Sequence, residues 1–297
     1  MTNTTKGVIA AIIGSIAYGL NPFFVLPQFE EGMTIESITT YRFVLVSICL
    51  AVFMLLQKQS FLVNKKQAGL LITLGGLFFI SCISLFASFR YMDAGIACTL
   101  LFIYPVMVAF VMAALYKERL SLYKYLCIAA TILGIFLLYD GGIEPLSVTG
   151  FILVMISALS YTIYIIVINK TSISAFSSVK LAFWSMFVCA VILCVRLIFE
   201  RDLQLIPNGK VLFSSLGLVL ISTIVSLVSL NFAIRKIGST YAAILGAFEP
   251  VTAVFVGVLV FDEKLTFTVA IGALIIVMAV SLIIAGNVVL HQLKMIF

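Results

Sequence analysis

Charged side chains are scarce in this chain, and their scarcity indicates its class. Only 10% of the 297 residues are charged, whereas 63% are hydrophobic. Soluble domains carry about 25% charged and about 45–50% apolar residues. A soluble protein of this composition could not cover its surface with polar groups, so the sequence predicts a protein embedded in a membrane. The net charge of +6 is then explained by membrane insertion, and no nucleic-acid partner is expected.

The chain also has few residues of the kinds that carry catalysis or hold metals. Its one histidine is His291, and its six cysteines lie inside apolar runs without CxxC or CxxH spacing. Neither a zinc site nor a disulfide framework is therefore expected. A Gly-x-x-x-x-Gly-Lys-Ser/Thr loop is missing, so ATP is not expected to drive the protein directly. We predict no enzyme activity, no cofactor and no metal site.

Long apolar runs, in contrast, fill most of the sequence. A helix needs about 20 apolar residues to cross the hydrocarbon core of a bilayer. Ten such runs are predicted as spans, at about 7–26, 35–56, 68–88, 94–115, 122–139, 148–168, 178–199, 211–233, 238–260 and 266–286. The predicted fold class is an all-α integral membrane protein with ten transmembrane helices.

The basic residues divide unequally between the predicted loops. If the N-terminus is cytoplasmic, twelve lysines and arginines fall in cytoplasmic segments and five in outer loops, and ten of the eleven loop acids fall outside. Because lysine and arginine are retained on the cytoplasmic side during insertion, both termini are predicted to be cytoplasmic. The expected location is the plasma membrane, which is the inner membrane of a bacterium.

A repeat at an offset of 145 residues divides the chain into halves 1–145 and 146–297. Charges and prolines seldom coincide by chance in so apolar a chain, so the repeat indicates two similarly built halves. The repeated pairs are Arg90 and Arg235, Pro105 and Pro250, Glu118 and Glu263, Ser81 and Ser226, and Ser84 and Ser229, with Gly7 and Gly150, and Tyr18 and Tyr161, at an offset of 143. With five spans each, the halves would be inverted repeats.

Two ionisable residues lie well inside predicted spans. Glu249 is eleven residues from either end of the ninth span. A charge at the bilayer centre costs about 2.5–3.5 kcal/mol on insertion scales, so Glu249 is expected to face a hydrated cavity, where it would bind a substrate amine or a proton. Arg42 is seven residues into the second span. It is expected to attract a substrate carboxylate or to pair with Glu249, unless it extends to the interface.

Prolines occupy equivalent places in the two halves, as Tyr104-Pro105 and Glu249-Pro250. A proline inside a helix removes one backbone hydrogen bond and frees a carbonyl group. The pattern predicts a kinked helix in each half, which either lines a cavity or serves packing alone.

Other polar and aromatic side chains are predicted on a central pathway. Tyr18 and Asn21 share one face of the first span, and Tyr161 and Tyr164 hold the corresponding places in the sixth. The remaining candidates for the cavity wall are Tyr104, Ser84, Trp184 and Asn231. Small hydroxyl groups also hold membrane helices together, so packing is the alternative for the serine.

The segment from Asn231 to Val280 resembles the C-terminal module of the EamA family, in the drug/metabolite transporter superfamily. Such modules have a helix with a central Glu-Pro, then a Gly-Glu-Arg/Lys-Leu-Thr loop and a glycine-bearing last helix. Residues 262–266 here read Asp-Glu-Lys-Leu-Thr, with aspartate in place of the usual glycine. The loop glutamates Glu118 and Glu263 are expected to hold a turn at a helix end. The resemblance implies a ten-helix carrier of small metabolites, commonly amino acids, often moved outward.

The predicted function is secondary transport by alternating access through a central cavity, with protons as a candidate coupling ion. The expected partners are a small-molecule solute and the lipid bilayer, and the protein would act as a monomer or homodimer. The main alternative is a multidrug exporter of organic cations, held by Glu249 and aromatic rings through charge and cation–π contact. A channel is disfavoured because the polar residues concentrate near the middle of the spans rather than along their length.

Overall fold

The computed structural model describes the backbone of residues 3–116, 122–140, 147–200 and 202–296, and their side chains except at 116, 139–140, 169, 238–241, 243 and 285–296. This backbone is helical and, over the described ranges, contains no strand. The α-helices are α1 (Asn3–Gly19), α2 (Asn21–Glu30), α3 (Ile35–Leu56), α4 (Lys65–Ser88), α5 (Ala94–Leu101), α6 (Tyr104–Tyr116), α7 (Leu122–Asp140), α8 (Val148–Lys170), α9 (Ser178–Glu200), α10 (Gly209–Gly217), α11 (Ser226–Leu245), α12 (Phe248–Val260) and α13 (Phe267–Ile296). A 3-10 helix covers Ser172–Ala175, and a π-helix, Leu218–Val225, joins α10 to α11.

Eight helical stretches among the described residues are long and apolar enough to cross a membrane. They begin at Asn3, Ile35, Lys65, Ala94, Val148, Ser178, Gly209 and Phe267. Two further apolar helices, Leu122–Leu138 and Phe248–Val260, are shorter. The prediction of an all-α integral membrane protein is therefore confirmed, and eight of its spans are directly recognisable by length and composition.

Polar residues at the loop ends begin several of these helices. The Thr34 hydroxyl accepts a hydrogen bond from the Ser37 amide at the start of α3, and the Ser147 hydroxyl accepts one from Gly150 at the start of α8. Asn64 forms a capping box with Gln67 at the start of α4. Such caps satisfy amide groups that have no partner inside the helix. They fix the helix ends at the connections between the predicted spans.

The helices are interrupted at three places inside predicted spans. The interruptions lie at Leu20, at residues 102–103 and at residues 246–247, and the helix that follows each carries Pro22, Pro105 or Pro250 in its first turn. Proline is tolerated there because the first amide groups of a helix have no intrahelical acceptor. The predicted kinks at Pro105 and Pro250 are thus breaks that separate α5 from α6 and α11 from α12.

The first helix of each half packs against the other half. In the first half, α1 lies on α11 and α12: Gly7 touches Ile237, and a methyl group on Gly14 would stand 3.1 Å from the Ser226 carbonyl oxygen. Gly19 faces the Glu249 carbonyl oxygen in the same way, at 2.5 Å. These glycines let the backbones approach closely, as is common where helices meet in membranes.

The second half repeats this arrangement at equivalent residues. Here α8 lies on α4 and α6: Gly150 touches Met92, the Ser157 hydroxyl donates to the Ser81 carbonyl oxygen at 2.7 Å, and the Thr162 hydroxyl donates to that of Tyr104 at 3.3 Å. The offset of 143 relates α1 to α8, and the offset of 145 relates α11 and α12 to α4 and α6. The three named contacts of α1 therefore each have a counterpart in α8.

Polar contacts join the two halves at the end of the bundle where α2 and α9 finish and α3 and α10 begin. Arg196 on α9 forms an ion pair with Glu36 on α3 at 3.0 Å, and Lys210 on α10 forms one with Glu30 on α2 at 3.0 Å. Below them, the Ser215 hydroxyl donates to the Gln28 side chain at 2.9 Å. The acidic residues in these pairs are among those predicted to lie in outer loops.

The loop after α12 reaches across to the first half. One Glu263 carboxylate oxygen accepts a hydrogen bond from the Ala94 amide at 2.8 Å, and the other accepts one from the Gly95 amide at 3.2 Å. Glu263 thereby caps the N-terminus of α5, where Asp93 makes no side-chain cap. The expectation that Glu263 holds a helix end agrees with this contact, whereas Glu118 lies outside the described residues.

Candidate functional site

A cavity of about 280 Å³ lies between helices of both halves. Seven of the ten predicted wall residues line it: Tyr18, Asn21, Arg42, Tyr104, Tyr161, Tyr164 and Glu249. They come from α1, α2, α3, α6, α8 and α12. Three of these elements, α2, α6 and α12, begin at the helix interruptions, so the breaks deliver side chains to the same cavity.

Arg42 lies on the buried face of α3 and is 2% exposed. Its Nε donates to the Thr223 hydroxyl at 3.2 Å, its Nη1 contacts the Cys82 sulfur at 3.7 Å, and its Cζ lies 5.5 Å from the centre of the Phe86 ring. The side chain therefore does not extend to the membrane surface, which removes the interfacial alternative. These contacts leave most of the donor groups of the guanidinium available.

Glu249 lies in the first turn of α12, and its side chain faces the cavity. Its amide donates to the Gly246 carbonyl oxygen at 2.9 Å across the break. The positive end of the α12 dipole favours an anion at this position. Local structure therefore offsets part of the cost of placing a carboxylate inside the membrane.

Arg42 and Glu249 line one cavity, yet neither forms an ion pair with a residue that the structure describes. Buried opposite charges usually pair, because an isolated buried charge is costly. A cavity that keeps them apart has a positive site and a negative site available to a bound molecule. It is suited to a solute that carries both charges.

Tyrosine rings form one side of the cavity. The ring centres of Tyr104 and Tyr161 are 4.8 Å apart at an edge-to-face angle of 84°, and Tyr161 stacks on Tyr164 at 5.5 Å. Tyr164 also packs against Phe78 at 5.7 Å. Such a surface accepts an apolar or aromatic group, or a cation over a ring face.

Asn21 begins α2 and is 3% exposed. Its Nδ2 donates to the Tyr18 carbonyl oxygen at 2.8 Å, whereas its Oδ1 is buried without a hydrogen-bond partner among the described residues. An unsatisfied buried acceptor costs free energy. A bound donor group or a water molecule in the cavity would satisfy it.

The other three predicted wall residues do not line the cavity. Ser84 is buried within α4. Trp184 packs between Phe183 and Phe187, with a buried indole nitrogen that has no partner among the described residues. Asn231 is partly buried on α11. All three lie on helices that contribute other residues to the wall. The sequence therefore indicates the correct helices for these residues but not the side of each helix that faces the cavity.

Sequence reasoning missed several wall residues, among them Thr223, Cys82, Phe78 and Phe86. Thr223 lies in the π-helix, and Cys82 and Phe78 lie on α4 beside Ser81. A single threonine, cysteine or phenylalanine in an apolar span looks the same in sequence whether it packs or lines a cavity. The repeat of Ser81 at Ser226 was the available signal, because both serines line this cavity.

Membrane-length helices that enclose a partly polar cavity with broken helices at its wall are an arrangement that recurs in secondary transporters. The sequence profile of the EamA-like transporter family matches residues 5–140 and again residues 148–285. The chain therefore belongs to the EamA-like transporter family, within the drug/metabolite transporter superfamily. It is a multi-pass integral membrane protein of this transporter family.

Three curated relatives carry the same description. An uncharacterized transporter of Synechocystis sp. is 28% identical over 70% of this chain, and the uncharacterized transporter YoaV of Bacillus subtilis is 24% identical over 63%. An uncharacterized transporter of Archaeoglobus fulgidus is 28% identical over 68%. The matched part spans 64%, 65% and 71% of these relatives' own lengths. A solved crystal structure covers 98% of this chain and 99% of its own, with a TM-score of 0.68 and 14% identity, which shows a shared fold.

Proposed function

We propose that this transporter is a secondary carrier of small zwitterionic metabolites, chiefly free amino acids, and that it exports them. The observation that carries the proposal is the unpaired placement of Arg42 and Glu249 in one cavity. An amino acid has a carboxylate for the guanidinium of Arg42 and an ammonium group for the carboxylate of Glu249. Charge-assisted hydrogen bonds at both ends are strong and directional, and the tyrosine surface is left for the side chain.

We further propose ten spans arranged as inverted halves, 1–145 and 146–297. Two observations support this arrangement. Ile237 lies beside Gly7 near the start of α1, whereas Glu249 lies beside Gly19 at its end. The chain must therefore reverse direction between Ile237 and Glu249, so that α12 belongs to a separate span. In addition, α1 packs on the second half and α8 packs on the first half through equivalent residues, as a twofold axis between the halves would require. Twelve basic residues fall in the segments proposed to be cytoplasmic and five in the outer loops, and this bias favours cytoplasmic termini.

Alternating access follows from this arrangement. Both halves contribute to the cavity wall, so a rotation of one half against the other would open the cavity to one side and close it on the opposite side. The ion pairs of Lys210 and Arg196 connect the halves at the proposed outer end and would break and re-form in each cycle. Glu249, the acid in the cavity wall, is the proposed proton site if transport is coupled to protons.

A thermal-shift screen of the detergent-purified protein tests the substrate class. The twenty amino acids are compared with purines, sugars and quaternary amines, and stabilisation by amino acids is expected because a ligand that binds the folded state raises its stability.

The amino acid that stabilises the protein most is then compared with its decarboxylated amine and its deaminated acid. Arg42→Ala should weaken binding of the amino acid and the acid, and Glu249→Gln that of the amino acid and the amine. Ser84→Ala, outside the cavity wall, is the matched control. Absence of any amino-acid shift in the wild type would refute the proposal.

Export of organic cations is the second candidate, and the tyrosine surface beside Glu249 favours it. A quaternary amine would use the rings and the carboxylate but would have no use for Arg42. If quaternary amines stabilise the protein and Arg42→Ala leaves their affinity unchanged, this candidate replaces the first. Flux measured in proteoliposomes across about pH 5.5 to 8 tests proton coupling, since an unchanged Glu249→Gln profile would remove Glu249 from it.

A further inference from the structure

We propose that Thr223 is the positioning residue for Arg42, and that the π-helix Leu218–Val225 places its hydroxyl group for this task. The inference rests on the proposed role of Arg42 in binding a substrate carboxylate. It concerns a residue that sequence reasoning did not select and the helix distortion in which that residue lies.

The Thr223 hydroxyl connects a backbone carbonyl to the guanidinium. It donates its hydrogen to the Leu218 carbonyl oxygen at 2.9 Å and accepts a hydrogen bond from Arg42 Nε at 3.2 Å. Thr223 is 7% exposed and Arg42 is 2% exposed, so water does not compete strongly at this contact. Because its one hydrogen is already donated, the hydroxyl presents only lone pairs to Arg42. It therefore acts as a fixed acceptor that orients the guanidinium.

The π-helix sets the direction of this hydroxyl. In the α-helices of this protein, Thr99 and Thr131 donate to the carbonyl oxygen four residues back. Thr223 donates to the oxygen five residues back, which is the spacing of the π-helix. Short π segments inside longer helices are often found at functional sites. An α-helical register would rotate Thr223 away from its present place opposite α3.

The two halves differ in the π-helix and in the residues that correspond to Thr223 and Arg42. The offset of 145 places Phe78 at the position of Thr223, in the uninterrupted α-helix α4, and the offset of 143 places Ser185 at the position of Arg42. A π-helix that served the shared architecture would be expected in both halves. Within the described ranges, the π-helix occurs instead only in the second half, whose Thr223 contacts Arg42 of the first half. This difference favours a role in the site.

The contact leaves the end of the guanidinium available. Nε is held by Thr223 and Nη1 contacts Cys82, whereas Nη2 has no partner among the described residues. A side chain fixed at Nε loses little further conformational entropy when it binds a carboxylate, which raises affinity through preorganisation. Thr223 thus affects affinity for the carboxylate without touching the solute's amine.

Two substitutions separate this role from a structural one. Thr223→Val keeps the shape and removes the hydroxyl, and Thr223→Ser keeps the hydroxyl. The probes are the amino acid that stabilises the wild type most and the amine made by removing its carboxylate. Thr223→Val is expected to weaken the amino acid roughly tenfold, the scale of one hydrogen bond to a charged group, and to leave the amine unchanged. Thr223→Ser should bind both as the wild type does.

The outcomes distinguish the two proposals. If Arg42→Ala weakens the amino acid but Thr223→Val does not, the positioning role is wrong and the proposed function stands. Equal weakening of amino acid and amine by Thr223→Val, without rescue by Thr223→Ser, would show a structural role and overturn the inference. If Arg42→Ala leaves amino-acid affinity unchanged, or no amino acid binds the wild type, the proposed carboxylate site is wrong and the inference is overturned with it.

Discussion

Gly19 lies directly against the backbone carbonyl of Glu249, and a methyl group on Gly19 would stand 2.5 Å from that oxygen. This contact joins the end of α1 to the start of α12 beside the cavity. It ties the position of the candidate amine site to the absence of a side chain 230 residues earlier in the sequence. Helix packing and the geometry of the site are therefore set by the same residues.

Gly19→Ala is expected to lower stability by about 1–3 kcal/mol, the usual cost of adding a methyl group to a tightly packed site. It should also weaken solute binding, because α12 must move away and carry Glu249 with it. Gly76→Ala is the matched control, since nothing lies within 4 Å of the added carbon in α4, and it should be neutral or stabilising. Thermal unfolding of both purified variants checks this, and equal melting temperatures would contradict the close-packing argument.

Glu263→Ala is expected to lower stability by about 1–3 kcal/mol, because two amides at the start of α5 lose their acceptor. Glu263→Gln should retain part of the cap through its carbonyl oxygen. Burial raises the pKa of the Glu263 carboxyl above its ordinary 4.5, against the opposing hydrogen bonds from the Ala94 and Gly95 amides.

The raised pKa gives the Glu263 prediction a direction with pH. The folded state holds the proton more tightly than the unfolded state does, so the contribution is fully present below the unfolded pKa and is lost as pH rises through the folded pKa. The melting temperature of the wild type minus that of Glu263→Gln should therefore fall as pH rises through this range. A difference that grows with rising pH would show that the hydrogen bonds outweigh burial.

Lys210→Glu is expected to favour opening at the end of the bundle where Lys210 meets Glu30, because it replaces attraction by repulsion. Cys82 lines the cavity and can report this opening. In a variant that keeps only this cysteine, an impermeant methanethiosulfonate reagent should label Cys82 a few-fold faster, and high salt should reduce the effect. The double change Lys210→Glu with Glu30→Lys should restore the slow labelling rate of Cys82. Failure of this rescue would argue that the ion pair does not hold this end of the bundle closed.

Tyr161→Ala is expected to weaken binding of solutes with large apolar groups more than that of small ones. Tyr161 stands between Tyr104 and Tyr164, so its removal opens the aromatic surface at its centre. An aromatic contact contributes about 0.5–1.5 kcal/mol beyond the buried area, which corresponds to a two- to tenfold loss. Tyr161→Phe keeps the ring and should bind normally. Thermal shifts with alanine and phenylalanine as ligands measure the contrast, and an equal loss for both would contradict it.

Much of the fold could be predicted because the membrane restricts what a sequence can do. Apolar runs of membrane length must be helices, and the depth of Arg42 and Glu249 within their spans predicts a cavity from the sequence alone. The prolines marked places where the helices fail, although their breaks are sharper than the kinks predicted. The faces of the helices were harder, since an apolar span has no polar side to mark. Ser84 and Asn231 were therefore assigned to the wall from helices whose other residues form it.

The π-helix shows a different limit of sequence reasoning. Residues 218–225 read Leu-Val-Leu-Ile-Ser-Thr-Ile-Val, which would suit a regular membrane helix equally well. What distinguishes Thr223 is a partner 181 positions earlier. Such a contact is decided by the packing of the whole bundle rather than by local propensity.

Because α1 packs against the second half of the chain, its main neighbours are synthesised long after it. About 220 residues separate the end of α1 from Ile237, and a ribosome adds roughly 5–20 residues per second. The nascent first span must therefore remain in the bilayer for roughly 10–40 seconds before its main neighbour emerges. During that interval Tyr18 and Asn21 have no cavity to face, so temporary shelter by the insertion machinery or by α3 would protect the early chain from misassembly.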